Sequence, residues 1–306
     1  MLPLSAAHME RLAQAFTVID ASRPEDCQAR IDAHGAQVRV VLTNGTIGLT
    51  AAQMAGMPGL TLACAFGAGY ENLDAAAARE RGVALCNGAG ANSESVADHA
   101  WALLLGAVRA VPAMDALTRA GGWRDDVPPL PTVAGKRLGV AGLGAIGRGV
   151  ARRGEGFGME IGYFSRRPAQ GADAYRHFSS LAELASWCDK LVLALPGGPA
   201  THRAVDEGVL RALGPDGFLV NVARGSVIDT AALVRALHDG TIAGAALDVY
   251  ENEPNVAAEL LSCPRLVLTP HVAGWSPEAL DASLDSFLDN ARRHFAGEPL
   301  RTPVPA

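Results

Sequence analysis

The sequence predicts an α/β protein made of two doubly wound parallel sheets, one inserted in the other. Three observations carry this. Short apolar runs alternate with helix-like stretches up to about residue 90, and a second alternating series follows residue 137. Such alternation builds βαβ units and a parallel sheet. Near mid-chain, the apolar run Arg137-Leu138-Gly139-Val140-Ala141 enters Gly142-Leu143-Gly144-Ala145-Ile146-Gly147. That strand, tight turn and helix start is the order a dinucleotide requires.

In the first series, Phe16–Ile19, Val38–Leu42, Leu60–Cys64 and Val83–Cys86 read as strands, with helices over Pro24–Ala33 and Asp74–Arg81. A long helix is expected from Ser93, a good N-cap with Glu94 in the first turn. Val96, Ala100, Leu103, Leu104, Ala107, Val108 and Val111 continue it at three- and four-residue steps. The Gly- and Pro-rich stretch Gly121–Pro131 separates it from the glycine turn. Beyond the turn, strands are expected at Glu160–Phe164, Lys190–Leu195, Phe218–Val222, Ala243–Val249 and Leu266–Thr269. Helices fall at Ser180–Trp187 and Thr230–His238, and an amphipathic helix runs from Pro277 to about Phe295. The resulting domains are 1–97 with 281–306, and an inserted nucleotide domain over 98–280. One continuous sheet is the alternative.

Composition excludes several classes. Of the 306 residues, 49% are hydrophobic and 19% charged, which suits a compact chain and argues against extensive disorder. A formal charge of -6 and a pI near 5.8 leave no nucleic-acid footprint. No apolar stretch approaches the roughly 20 residues needed to cross a bilayer, and Met1–Arg11 lacks the pattern of a signal peptide. Cys27, Cys64, Cys86, Cys188 and Cys263 are odd in number, never closely spaced, and show no metal-ligand pattern. They read as reduced thiols in the cytoplasm.

The glycine turn brings chemistry with it. Glycines let the backbone approach a pyrophosphate, and the helix N-terminus faces the anion. The group that meets the adenosine ribose sits at the end of the second strand, about 20 residues on. Here Ile161–Phe164 leads into Ser165-Arg166-Arg167, with no acidic residue. A hydroxyl and two guanidiniums suit a 2′-phosphate, so NADPH is expected over NADH, with NADH as the alternative coenzyme and a solvated basic turn as the plain reading. Three later strands each deliver a polar group: Arg224 after Phe218–Ala223, Glu253 after Asp248-Val249-Tyr250, and His271 after Leu266–Pro270. Carboxyl ends of parallel strands form the ligand crevice of such sheets. An Arg that holds a carboxylate, a His that protonates a carbonyl and a Glu that orients the His would reduce a 2-oxo acid.

From about Leu42 to Phe295 the chain resembles the D-isomer-specific 2-hydroxyacid dehydrogenases, especially the NADPH-using glyoxylate/hydroxypyruvate reductase branch. The segments that carry the likeness are Ala65–Tyr70, Gly142–Gly147, Val220–Gly225, Leu247–Pro254 and Thr269–His271. The resemblance implies a Rossmann coenzyme domain inserted in a flavodoxin-like substrate domain. It implies Arg224 as substrate anchor, Glu253 as partner of the histidine, His271 as acid and base, and backbone N–H groups at Ala68 and Gly69 as holders of the substrate carboxylate. For the coenzyme it implies Gly142, Gly144, Ala145, Ile146, Gly147, Ser165, Arg166, Arg167, Leu195, Pro196, Thr201, Val222, Ala223, Asp248 and Gly274. It further implies a D-2-hydroxy acid product and a homodimer formed through the coenzyme domain by the helix near Ser93. Ser165-Arg166-Arg167 departs from the acidic residue of NAD-dependent members, and Trp275 follows Gly274 where many carry a smaller residue.

Two rivals stand beside this reading. One is a nucleotide-sensing, corepressor-like protein without turnover. The other is a phosphoglycerate-, formate- or phosphite-type dehydrogenase, and the regulatory domain of many phosphoglycerate enzymes is not expected after the last helix.

Overall fold

The computed structural model describes residues 4–304; Met1–Pro3, the start of the segment read for a leader, and Pro305–Ala306 lie outside the described residues. The elements run α1 (Ala6–Ala15), α2 (Pro24–His34), β1 (Val40–Thr43), α3 (Ala51–Ala55), β2 (Leu62–Ala65), α4 (Ala75–Glu80) and β3 (Ala84–Asn87). Next come α5 (Ser93–Val108), α6 (Val111–Arg119), β4 (Arg137–Ala141), α7 (Ala145–Gly156), β5 (Glu160–Phe164), β6 (Arg176–Phe178), α8 (Leu181–Trp187) and β7 (Lys190–Leu193). The chain closes with α9 (Glu207–Leu213), β8 (Phe218–Asn221), α10 (Thr230–His238), β9 (Gly244–Leu247), α11 (Ala258–Leu261), β10 (Leu266–Leu268) and α12 (Pro277–Phe295). It divides into two compact units, one up to Asn92 and again from Gly274, the other Ser93–Ala273. The sequence reading had put these breaks at 97/98 and 280/281.

The first unit holds a three-stranded parallel sheet in the order β1-β2-β3. Its side chains alternate between two layers. Ala63, Ala65 and Leu85 pack with Ile31, Met54 and Ala78, on the side of α2, α3 and α4. Leu62, Cys64 and Cys86 pack with Leu12, Leu284 and Phe287, from α1 and α12. The sheet is therefore wound on both faces. Phe16–Ile19, expected as a strand, forms none. Phe16 instead closes α1, its ring 5.8 Å from that of Phe287, and Val18 stays exposed with no strand to pair with.

The second unit holds seven strands in the order β10-β9-β8-β7-β4-β5-β6, each adjoining pair parallel. Order reverses between β4 and β7, the place where such sheets bind ligands outside the strand ends. Leu191, Leu193, Leu219 and Leu247 pack beneath α8, α9 and α10. Leu138, Val140, Val192 and Val220 pack beneath α5 and α7. The long helix expected through Val111 breaks at Ala110, whose φ is 50°, and restarts as α6. Pro112 sits in the first turn of α6, where a missing N–H costs nothing, and it could not have continued α5. Strand β6 was not foreseen.

Candidate active site

The turn after β4 is built around its glycines. Gly142 has φ 93°, and a Cβ there would lie 2.6 Å from the Ala194 carbonyl oxygen beyond β7. A Cβ on Gly147 would lie 1.9 Å from the Gly142 carbonyl oxygen, so only glycine lets α7 seat against the turn. Gly144 precedes α7 with no side-chain cap, and a Cβ there would meet no atom within 4 Å. The first turn of α7, at Ala145 and Ile146, is thus left without a side-chain cap, and such a helix end can accept an anion. A nicotinamide dinucleotide fits this cradle.

Other residues expected at the coenzyme ring the same strand ends. Ser165, Arg166 and Arg167 follow β5; both arginines are exposed, and neither forms an ion pair among the described residues. Leu195 and Pro196 follow β7, where the Thr201 hydroxyl donates to the Pro196 carbonyl at 2.7 Å and closes the loop. Val222 and Ala223 are buried just past β8. Gly274 falls in the other unit, where a Cβ would crowd the Asn92 side-chain nitrogen at 2.7 Å.

Arg224 follows β8 on a loop set from beneath. The fully buried Asn221 donates from Nδ2 to the Arg224 carbonyl at 3.0 Å and accepts the Ala223 N–H at 3.0 Å. The Arg224 guanidinium donates to the Ala223 carbonyl at 2.7 Å. At Gly225 a Cβ would lie 1.8 Å from the Tyr250 carbonyl carbon, so the absence of a side chain lets this loop meet the loop after β9.

That second loop carries Glu253. Its Oε1 accepts the Tyr250 N–H at 2.9 Å, and its Oε2 lies 2.6 Å from His271 Nδ1. Burial pushes the Glu253 carboxyl up, but bonds from His271 and Tyr250 outweigh it and leave the carboxyl below its ordinary value. The His271 pKa is raised: the hydrogen bond to Glu253 is the largest cause, burial opposes it, and the charges of Glu253 and Asp248 add to it. Arg224 acts on both partners, lowering Glu253 and His271 alike through its positive charge.

His271 itself sits at φ 55°, its N–H bonded to the Asp248 carbonyl at 2.8 Å. The Asp248 carboxylate is buried and spans the next two residues, accepting Val272 N–H and Ala273 N–H at 2.9 Å each. Thr269 donates to it at 2.6 Å, and His99 Nε2 stands 3.0 Å from Thr269 Oγ1 and 3.4 Å from Asp248 Oδ1. Burial raises this carboxyl, yet His99, Thr269 and the two amides together hold it below its usual value. Asp248, expected at the coenzyme, also braces the histidine loop through its buried carboxylate.

In the first unit, Ala68 and Gly69 follow β2. Asn87 donates from Nδ2 to the Ala68 carbonyl at 2.7 Å. The N–H groups of Ala68 and Gly69 meet no protein acceptor among the described residues, leaving two donors side by side.

A family model for the D-isomer specific 2-hydroxyacid dehydrogenase NAD binding domain matches residues 101–273. The chain belongs to that family. It is therefore an NAD(P)-dependent oxidoreductase. It is 37% identical over 304 residues to a 2-ketogluconate reductase of Gluconobacter oxydans, covering 99% of this chain and 96% of that one. It is 37% identical to a glyoxylate/hydroxypyruvate reductase of Arabidopsis thaliana over 289 residues, covering 94% and 89%. Among solved structures, the NADPH-dependent glyoxylate/hydroxypyruvate reductase of Sinorhizobium meliloti, in complex with NADP and malonate, superposes with a TM-score of 0.89 at 38% identity, covering 98% and 94%.

The structure brings Arg224, Glu253 and His271 into one electrostatic group, as the strand-end positions in the sequence suggested. Sequence reasoning missed the braces behind them: Asn221 under Arg224, and His99 with Thr269 under Asp248. A buried Asn in an otherwise apolar strand was the available signal for the first. No single helix among the described residues is long and apolar enough to cross a membrane.

Proposed function

We propose that this dehydrogenase reduces a small 2-oxo acid to the D-2-hydroxy acid with NADPH. The observation that carries the reading is the His271–Glu253 pair within the field of Arg224. His271, with its pKa raised by Glu253, keeps its proton to higher pH, and Nε2 is the nitrogen left to donate to the substrate carbonyl oxygen. Glu253 fixes the ring through Nδ1 and stabilises the charged form. Arg224 anchors the carboxylate through its planar fork and steadies the carbonyl as negative charge grows on its oxygen. The amides at Ala68 and Gly69, without a protein acceptor among the described residues, are of the kind that holds a carboxylate. The coenzyme supplies a hydride to the carbonyl carbon. Gly142, Gly144, Ala145, Ile146 and Gly147 would hold its pyrophosphate, and Ser165, Arg166 and Arg167 its 2′-phosphate. Leu195, Pro196, Thr201, Val222 and Ala223 would line the strand ends around it.

Glyoxylate and hydroxypyruvate are the substrates this reading favours, given the names of the relatives. The likeness to a 2-ketogluconate reductase supports a longer 2-oxo sugar acid as the second candidate. Assaying a panel of 2-oxo acids with both coenzymes separates them. A homodimer is supported by α6 and the loop after it: no residue of α6 is buried, and Val111 and Trp123 are 54% and 68% exposed. The helix near Ser93, by contrast, spends its apolar face on the core of its own unit. Five free cysteines support a reducing compartment, the cytoplasm.

A further inference from the structure

A histidine outside the reacting group stands behind the turn that carries Arg166 and Arg167. His177, in the middle of β6, is paired in register with Tyr163 of β5, and the two rings lie 5.2 Å apart. Its Nε2 is 3.0 Å from the Ser165 carbonyl oxygen. A carbonyl oxygen only accepts, so Nε2 carries the hydrogen and donates. The Ser165 hydroxyl in turn donates to the Arg167 carbonyl at 2.6 Å, closing the turn on itself.

The loop is clipped again beyond the arginines. Tyr163 Oη accepts the Ala169 N–H at 3.1 Å, and Arg148, one turn into α7, donates to the Gln170 carbonyl at 2.6 Å. The backbone on both sides of Arg166 and Arg167 is therefore tied down. Their guanidiniums remain exposed, and no acidic side chain neutralises them among the described residues. Two adjacent cations on a fixed turn can meet a dianion without first ordering the chain, which is what preorganisation contributes to affinity.

We propose that His177 is a positioning residue for coenzyme choice: its Nε2–H fixes the Ser165 carbonyl and so presents Arg166 and Arg167 to the 2′-phosphate of NADPH. This rests on the reading of Ser165-Arg166-Arg167 as the 2′-phosphate site. His177 acts through Ser165 and leaves the contact with phosphate to the arginines. The expected mark of that role is a loss confined to ligands that carry the 2′-phosphate.

The test is calorimetric binding of 2′,5′-ADP and of 5′-AMP, with KM for NADPH and NADH measured alongside. His177→Phe keeps a ring against Tyr163 and removes the donor; His177→Gln returns an N–H; His177→Ala is a second donor-free variant, with thermal melting confirming that each is folded. One neutral hydrogen bond corresponds to about fivefold in affinity. His177→Phe and His177→Ala are expected to weaken 2′,5′-ADP and raise the NADPH KM by about that factor, while 5′-AMP and NADH move less than about twofold. His177→Gln recovers most of the loss. Equal weakening of both nucleotides overturns the proposal. So does unchanged 2′,5′-ADP binding in the His177 variants when Arg166→Ala with Arg167→Ala abolishes it. If that double variant itself binds 2′,5′-ADP as the wild type does, the underlying reading of the turn fails instead.

Discussion

His271 Nδ1 stands 2.6 Å from Glu253 Oε2, and the other oxygen of that carboxylate is already held by the Tyr250 N–H at 2.9 Å. The acid is thus fixed by backbone before it meets the ring, and Nε2 is the nitrogen left for chemistry. His271→Ala removes the proposed proton donor and leaves the glycine turn untouched. A positioned acid contributes about 10²–10⁴-fold to a rate, so kcat should fall in that range. Fluorescence titration should find NADPH affinity retained.

Glu253→Gln tests how the proton is held. Glu253 raises the His271 pKa, so imidazolium persists to higher pH and reduction declines as pH rises through that raised value. An amide lacks the charge that causes the shift. The alkaline limb of kcat/KM should therefore move to lower pH in the variant. A limb that stays in place would assign the titration to another group.

Arg224→Lys keeps the charge and loses the planar fork. One charge-assisted hydrogen bond is worth about 1.5–3 kcal/mol, so kcat/KM for a 2-oxo acid should fall at least about tenfold. Steady-state kinetics at saturating coenzyme reads this. Turnover close to wild type would remove Arg224 from the anchor role.

Replacing both Arg166 and Arg167 with Ala takes away two exposed cations that pair with no acidic group among the described residues. The ratio of kcat/KM for NADPH over NADH should fall by about tenfold or more, mainly through the NADPH KM. An unchanged ratio would show that the turn is only a solvated basic surface.

Gly225→Ala puts a methyl where the Tyr250 carbonyl carbon lies 1.8 Å away. Backbone cannot yield as a side chain does, so the loops of Arg224 and Glu253 must separate. Overpacking of this kind costs about 1–3 kcal/mol. A lower Tm together with reduced kcat is expected, and a variant with both unchanged would refute the close approach.

Much of this was legible in the sequence where several local signals agreed. Glu160–Phe164, Thr230–His238 and Pro277–Phe295 formed as expected, since strand propensity in the first, an N-cap at Asp229 or Ser276 in the others, and hydrophobic period all pointed one way. Phe16–Ile19 had the propensity of a strand but joins neither sheet, and propensity alone does not say whether a segment pairs. Strand β6 exists because it pairs with β5, and Arg176 hides it. The polar groups at strand ends single out Arg224, Glu253 and His271 as candidates. Their braces were harder to see: Asn221 shows only as a polar residue in an apolar strand, and the backbone groups that it and Asp248 hold leave no mark in a sequence.

The central claim is that a 2-oxo acid is reduced through His271. Its most direct test follows nicotinamide absorbance while wild type and His271→Ala are offered a panel of 2-oxo acids with NADPH and NADH. Wild type should oxidise NADPH with glyoxylate or hydroxypyruvate, more efficiently than NADH, and His271→Ala should bind NADPH yet scarcely turn over. Tight NADPH binding by the wild type with no oxidation across the whole panel would contradict the account.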